Sequence, residues 1–158
     1  MTNLVTFSDL ANQPVEGLKL KPTRLTNGQV EASNPLWTSA DAGVKIGLWE
    51  CTPGRFTADR SETAEYPHII SGTAIVKNLS DGTSRDITGV DLLVLPKVWL
   101  GEWVIHKNMR KLYFLSNSWV LQIPGKRILA PVRGQTQKGI ALCYAMKTQK
   151  RIHPSRNA

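Results

Sequence analysis

Hydrophobic and polar positions along this chain alternate in short runs, and apolar residues never recur at helical spacing over a long window. That pattern predicts an all-β fold. Val44 to Thr52 is one run, closed by Pro53-Gly54. Tyr66 to Ile70 is a second, closed by Ser71-Gly72, and Thr73 to Leu79 is a third. Ser80-Asp81-Gly82-Thr83 then reads as a hairpin turn, since an Asp-Gly pair accepts the positive φ angles of tight hairpins. Arg85 to Ile87 leads into a turn at Gly89, and Asp91 to Leu95 reads as a buried strand ended by Pro96. Gly101 to Ile105 and Lys111 to Phe114 complete the set. Strands this short and this evenly spaced imply a sandwich or barrel.

Residues 1–40 are broken by Pro14, Pro22, Asn27-Gly28 and Asn34-Pro35, and read as an N-terminal arm with one or two edge strands. Residues 41–115 form the core. Residues 116–158 read as an irregular, basic, poorly ordered tail.

The net charge of +8 over 158 residues invites a nucleic-acid reading, but its distribution argues otherwise. Up to residue 114 there are 12 Lys or Arg and 12 Asp or Glu. The excess lies in Lys126, Arg127, Arg133, Lys138, Lys147, Lys150, Arg151 and Arg156, with no acidic residue among them. A one-signed block of this kind behaves as a solvated segment, so polyanion binding is expected through the tail only. No apolar run approaches the roughly 18 residues that span a bilayer, and Met1 to Leu10 has no signal-peptide pattern. The expected location is cytoplasmic. Cys51 and Cys143 have no metal-type spacing and read as reduced, inert thiols. No dinucleotide, phosphate-loop, nucleophile-elbow or zinc-protease motif is present.

Three segments in order resemble a known family. Gly47-Leu-Trp-Glu-Cys-Thr-Pro-Gly-Arg-Phe56 resembles the opening strand and turn of small cupins of the ureidoglycine aminohydrolase-like and ethanolamine-utilisation type. Glu65-Tyr-Pro-His-Ile-Ile-Ser-Gly72 resembles the first cupin motif, with six residues between its Glu and its Gly. Gly89-Val-Asp-Leu-Leu-Val-Leu-Pro96 with Gly101-Glu-Trp103 resembles the second, and Arg110 to Phe114 the last strand. The resemblance covers about residues 7–114. It implies a double-stranded β-helix, the cupin jelly roll, with the tail as an addition, and it implies a homodimer.

Metal-dependent cupins supply two His and one Glu from the first motif and one His from the second. By that resemblance only Glu65 is retained: the first two His positions fall within Asp59-Arg-Ser-Glu62 and the last at Gly101. One carboxylate is a poor transition-metal site, so no metal cofactor is expected. His68 stands three residues after Glu65 and His106 five after Gly101, which puts both on the opposite face of a strand. His153 is in the tail.

The same parity points Trp103 inward with Gly101, so Glu65 and Trp103 are expected to line one cavity. A carboxylate against an indole has a raised pKa and suits a general acid or base, which makes Glu65 the catalytic candidate. Arg60 would pair with it or hold an anionic group. Trp99 would offer a stacking face at the barrel mouth, and Glu50 is a further candidate. Trp103 as core filling and Glu65–Arg60 as a structural ion pair are the competing readings. The expected function is binding of a small polar molecule, either without turnover or with metal-free acid–base chemistry. A metal-dependent, ureidoglycine aminohydrolase-like enzyme and polyanion binding by the tail are the alternatives.

Overall fold

The computed structural model describes residues 3–117. Among them are eight strands: β1 (Lys19–Leu20), β2 (Val30–Thr38), β3 (Val44–Cys51), β4 (Gly54–Asp59), β5 (Ala64–Glu65), β6 (His68–Asn78), β7 (Ser84–Thr88) and β8 (Leu100–Ser116). All pairings are antiparallel. The strands follow the order β1-β2-β3-β8-β6-β7, with β4 and β5 also on β8. The fold is therefore all-β, as the alternating pattern predicts. No helix among the described residues is long and apolar enough to cross a membrane.

β8 organises the molecule. Its first part, Leu100 to Ile105, lies between β4 and β6, and its second part pairs with β3, β5 and β6. The two sequence runs Gly101–Ile105 and Lys111–Phe114 are thus one curved strand. Its buried positions keep a period of two, with Gly101, Trp103, Ile105, Met109 and Lys111 turned inward. Trp103 sits in register between Phe56 and Val76, and stacks on the Phe56 ring at a centroid distance of 6.0 Å. With Ile69, Ala74, Ile87, Leu95 and Met109 these side chains make the core.

The runs Tyr66–Ile70 and Thr73–Leu79 likewise merge into β6, which crosses a corner through register shifts between Ile69 and Ala74. Gly72 makes that corner possible. Its φ is +100°, and a side chain there would meet the Asn108 carbonyl at 2.5 Å and the Met109 Cα at 2.7 Å. The expected hairpin turn forms: Gly82 has φ +73° and its N–H donates to the Asn78 carbonyl at 3.0 Å, while Asp81 accepts from Thr83. Asp91–Leu95, expected as a strand, instead makes isolated bridges from Leu95 to Glu65 and from Leu92 to His68. β4 is a strand that the turn signal at Pro53-Gly54 concealed.

The arm lies against the outer face of the sheet. Arg110 donates to the Leu10 and Gln13 carbonyls at 2.7 Å each and to Glu50. Leu48 and Ala32, of the same facing, are buried there. The tail, residues 118–158, with His153 and Cys143, lies outside the described residues, so the expectation of a poorly ordered segment falls there.

Candidate functional site

The inward face of β8 carries a lysine where an apolar residue is the usual occupant. Lys111 stands in register between Trp49 and Ile69 and is only 4% exposed. An isolated ammonium there would lose its hydration, a large cost unless it is paired. Its Nζ donates to Glu65 Oε1 at 2.7 Å and lies 4.4 Å from the Trp49 ring centroid and 5.1 Å from that of Trp103. Glu65 is placed by the short strand β5 and by reciprocal 2.9 Å backbone bonds with Leu95. Its second oxygen accepts from Arg60 Nε at 2.6 Å and is also in contact with the Arg60 Nη2. The Arg60 backbone is tied in turn to Val98 and Trp99 at 2.9 Å each.

A second ion pair lies alongside. Lys21, from the arm, reaches inward; its Nζ is 2.6 Å from Glu31 Oε2 and 4.2 Å from the Phe56 ring centroid. The same Glu31 oxygen accepts from the Trp49 indole N–H at 2.9 Å. Tyr113 and Ser33 share a hydrogen bond of 3.2 Å between their hydroxyls. Gly47 gives the Tyr113 hydroxyl its place, because a Cβ there would overlap the phenol oxygen. These side chains, with Thr63 and Leu115, line a cavity of about 290 Å³ that is partly open to solvent, where Ser33 is exposed.

The electrostatics follow from the pairing. Burial acts to raise the Glu65 carboxyl, but the Lys111 ammonium and the Arg60 guanidinium outweigh it and hold the group below its ordinary value. For Glu31 burial is likewise outweighed, by the hydrogen bonds from Lys21 and Trp49. Burial pushes the Lys111 ammonium down, against the upward pull of Glu65. The raised carboxyl expected for Glu65 is therefore corrected: two cations, not an indole, dominate its surroundings.

The structure brings Glu65 and Arg60 together. Trp103 is 1% exposed beneath them, packed on Phe56, and does not line the cavity wall. The expected shared cavity thus keeps Glu65 at its wall and leaves Trp103 in the core. Trp99 turns away, with its indole N–H donating to Asn78 Oδ1 at 2.7 Å. Glu50 lies outside this cavity: it faces the other side of β3, where it pairs with Arg110 beside the arm. Lys111, Lys21, Glu31, Ser33, Trp49 and Tyr113 are among the cavity residues that the sequence reading missed. Lys111 is eight residues from Trp103, an even step, so period-two counting through β8 reaches it once the two runs are known to be one strand.

The residues present do not fit the metal of metal-dependent cupins. Both Glu65 oxygens already accept from cationic donors, which would repel a divalent ion. At Gly101, the position matching the second-motif His, a Cβ would overlap the Trp99 ring and come within 2.7 Å of the Lys77 carbonyl. Among the described residues no group of three or more His, Cys, Asp or Glu could hold a metal.

Two other hollows differ in kind. The larger, about 570 Å³, lies between β7 and residues 91–96 beside Trp99; its charged groups, Arg85, Asp86 and Asp91, are partly or fully exposed. A small one, about 190 Å³, lies under Glu50 and Arg110. Neither contains a buried charge pair like Glu65–Lys111.

Solved structures of cupins resemble this architecture. EutQ from Clostridium difficile aligns over 69% of this chain and 84% of its own, with 18% identity and a TM-score of 0.54. Ectoine synthase from P. lautus aligns over 68% and 83%, with 17% identity and a TM-score of 0.51. A protein of unknown function from Pseudomonas syringae aligns over 65% and 43%, with 17% identity and a TM-score of 0.56. Similarity at this level speaks for the fold alone. No curated protein matches the chain significantly. The family model that matches is that of the EutQ-like cupin domain, over residues 38–113, and the fold built by these strands is a cupin fold.

Proposed function

We propose that the barrel interior binds a small polar molecule without a metal, and that Glu65 serves there as a positioning residue for Lys111 and Arg60 rather than as an acid or base. One observation carries this reading: a nearly fully buried carboxylate fixes two cationic side chains in the wall of a 290 Å³ cavity. Buried ion pairs contribute little net stability compared with well-packed apolar residues of the same volume. Charges kept at a cavity wall despite that cost mark a candidate functional site. A metal-dependent aminohydrolase gains no support from a Glu65 engaged by cations on both oxygens.

Ligand-observed NMR of the full chain, dialysed against a chelator, against a library of small polar metabolites tests this. Binding that persists in the chelated protein and weakens in both Lys111→Met and Arg60→Gln is the expected result. Binding that both folded variants retain undiminished, or that requires restored metal, overturns the reading.

A further inference from the structure

Three cations and two carboxylates line the Glu65 cavity among the described residues, leaving one positive charge in surplus. Each carboxylate is already engaged by a lysine, through Lys21–Glu31 and Lys111–Glu65. Each of those ammonium groups has three N–H bonds and gives one to its carboxylate. The site therefore retains donors but offers little for a cationic guest. The aromatic faces point the same way: Lys21 stands over Phe56, and Lys111 over Trp49, so the protein's own ammonium groups hold the positions that an organic cation would take.

At Ser33 and Tyr113, two hydroxyls share one hydrogen bond, in which either oxygen could be the donor. Two hydroxyls bring two protons; one lies in their mutual bond, and the other is left to donate outward. The cavity thus has a cationic wall and a neutral hydroxyl donor. Its volume lies at the lower limit of ordinary small-molecule pockets, which span roughly 300–1,000 Å³.

Resting on the binding reading above, we propose that the ligand is a small carboxylate monoanion with an oxygen beside the carboxylate, a 2-hydroxy or 2-oxo acid. Its carboxylate meets the Lys111, Lys21 and Arg60 wall. The neighbouring oxygen accepts from the Ser33–Tyr113 pair.

Calorimetry of the full chain with lactate, propionate, lactamide and inorganic phosphate tests the assignment. Lactate should bind about fivefold more tightly than propionate, the yield of one neutral hydrogen bond, and at least about tenfold more tightly than lactamide. The double variant Ser33→Ala/Tyr113→Phe, which removes both hydroxyl protons, should bring the lactate-to-propionate ratio toward one while leaving propionate binding unchanged, a pattern that simple destabilisation would not produce. Lactamide equal to lactate, or phosphate tighter than lactate, overturns the ligand class and leaves the small-molecule reading standing. A lactate-to-propionate ratio that survives the double variant overturns the role of the hydroxyl pair. Failure of all four probes, together with failure of the metabolite library, overturns both.

Discussion

Glu65 and Lys111 meet at 2.7 Å with side chains only 3% and 5% exposed, and each is the group that makes burial of the other tolerable. Removing one partner of such a pair strands the other charge in a low-dielectric interior. Glu65→Gln should therefore lower the unfolding free energy by roughly 3–5 kcal/mol, read from urea denaturation with an unchanged m-value. A loss below about 1 kcal/mol would show that Lys111 is solvated and that the pair is not buried in solution.

The same carboxyl makes stability depend on acidity. Its folded pKa lies below the reference of 4.5, so the folded state binds its proton less readily than the unfolded state does. The contribution is complete above that reference and fades as pH falls through the folded value. Glu31 has the same sign. The urea midpoint should hold steady from about pH 8 to 6 and fall below about pH 4.5, with a shallower fall in Glu65→Gln. Equal slopes in the two proteins would remove Glu65 from the explanation.

Cys51 is 2% exposed, and burial pushes its thiol up to about 11. In a Cys143→Ser background at pH 8, iodoacetamide should alkylate the native protein at least about a hundredfold more slowly than the urea-unfolded chain. Comparable rates would mean that the β3 thiol is open to solvent.

Gly101 faces the Trp99 ring so closely that no Cβ fits, and the Lys77 carbonyl bounds it on the other side. Gly101→Ala should cost at least about 2 kcal/mol by overpacking, and pairing it with Trp99→Ala should restore part of the loss. Additive losses in the double variant would show that the two residues are not in contact.

Arg110 holds the arm through the Leu10 and Gln13 carbonyls and is itself held by Glu50. Arg110→Met should expose residues 3–18 to limited proteolysis at least about tenfold faster while leaving the remaining barrel resistant. Unchanged cleavage would mean that other contacts fasten the arm.

Local patterns were legible where one face of a strand meets the core. The alternation in Val44–Thr52 and in Thr73–Leu79 marked β3 and the second half of β6, and the Asp81-Gly82 pair marked the hairpin from β6 to β7, because a period of two and positive φ angles are properties of a few adjacent residues. The pairing of Arg60 with Glu65 was readable for the same reason, since the two stand five residues apart on one loop and a short strand. Glu50 shows where that reasoning stops. Its facing depends on which side of β3 the arm covers, and nothing within Trp49-Glu50-Cys51 states it.

The sequence by itself determined the all-β character, the turns, and the absence of histidine at the positions that metal-dependent cupins use. Tertiary structure alone decided which charges share the interior. Lys21, Glu31, Glu65 and Lys111 come from the arm, β2, β5 and β8, and only strand register and the curvature of β8 bring them to one cavity. The pKa of Glu65 turned on the same assembly: burial alone would raise it, and Arg60 together with a lysine 46 residues away in the chain reverses the sign.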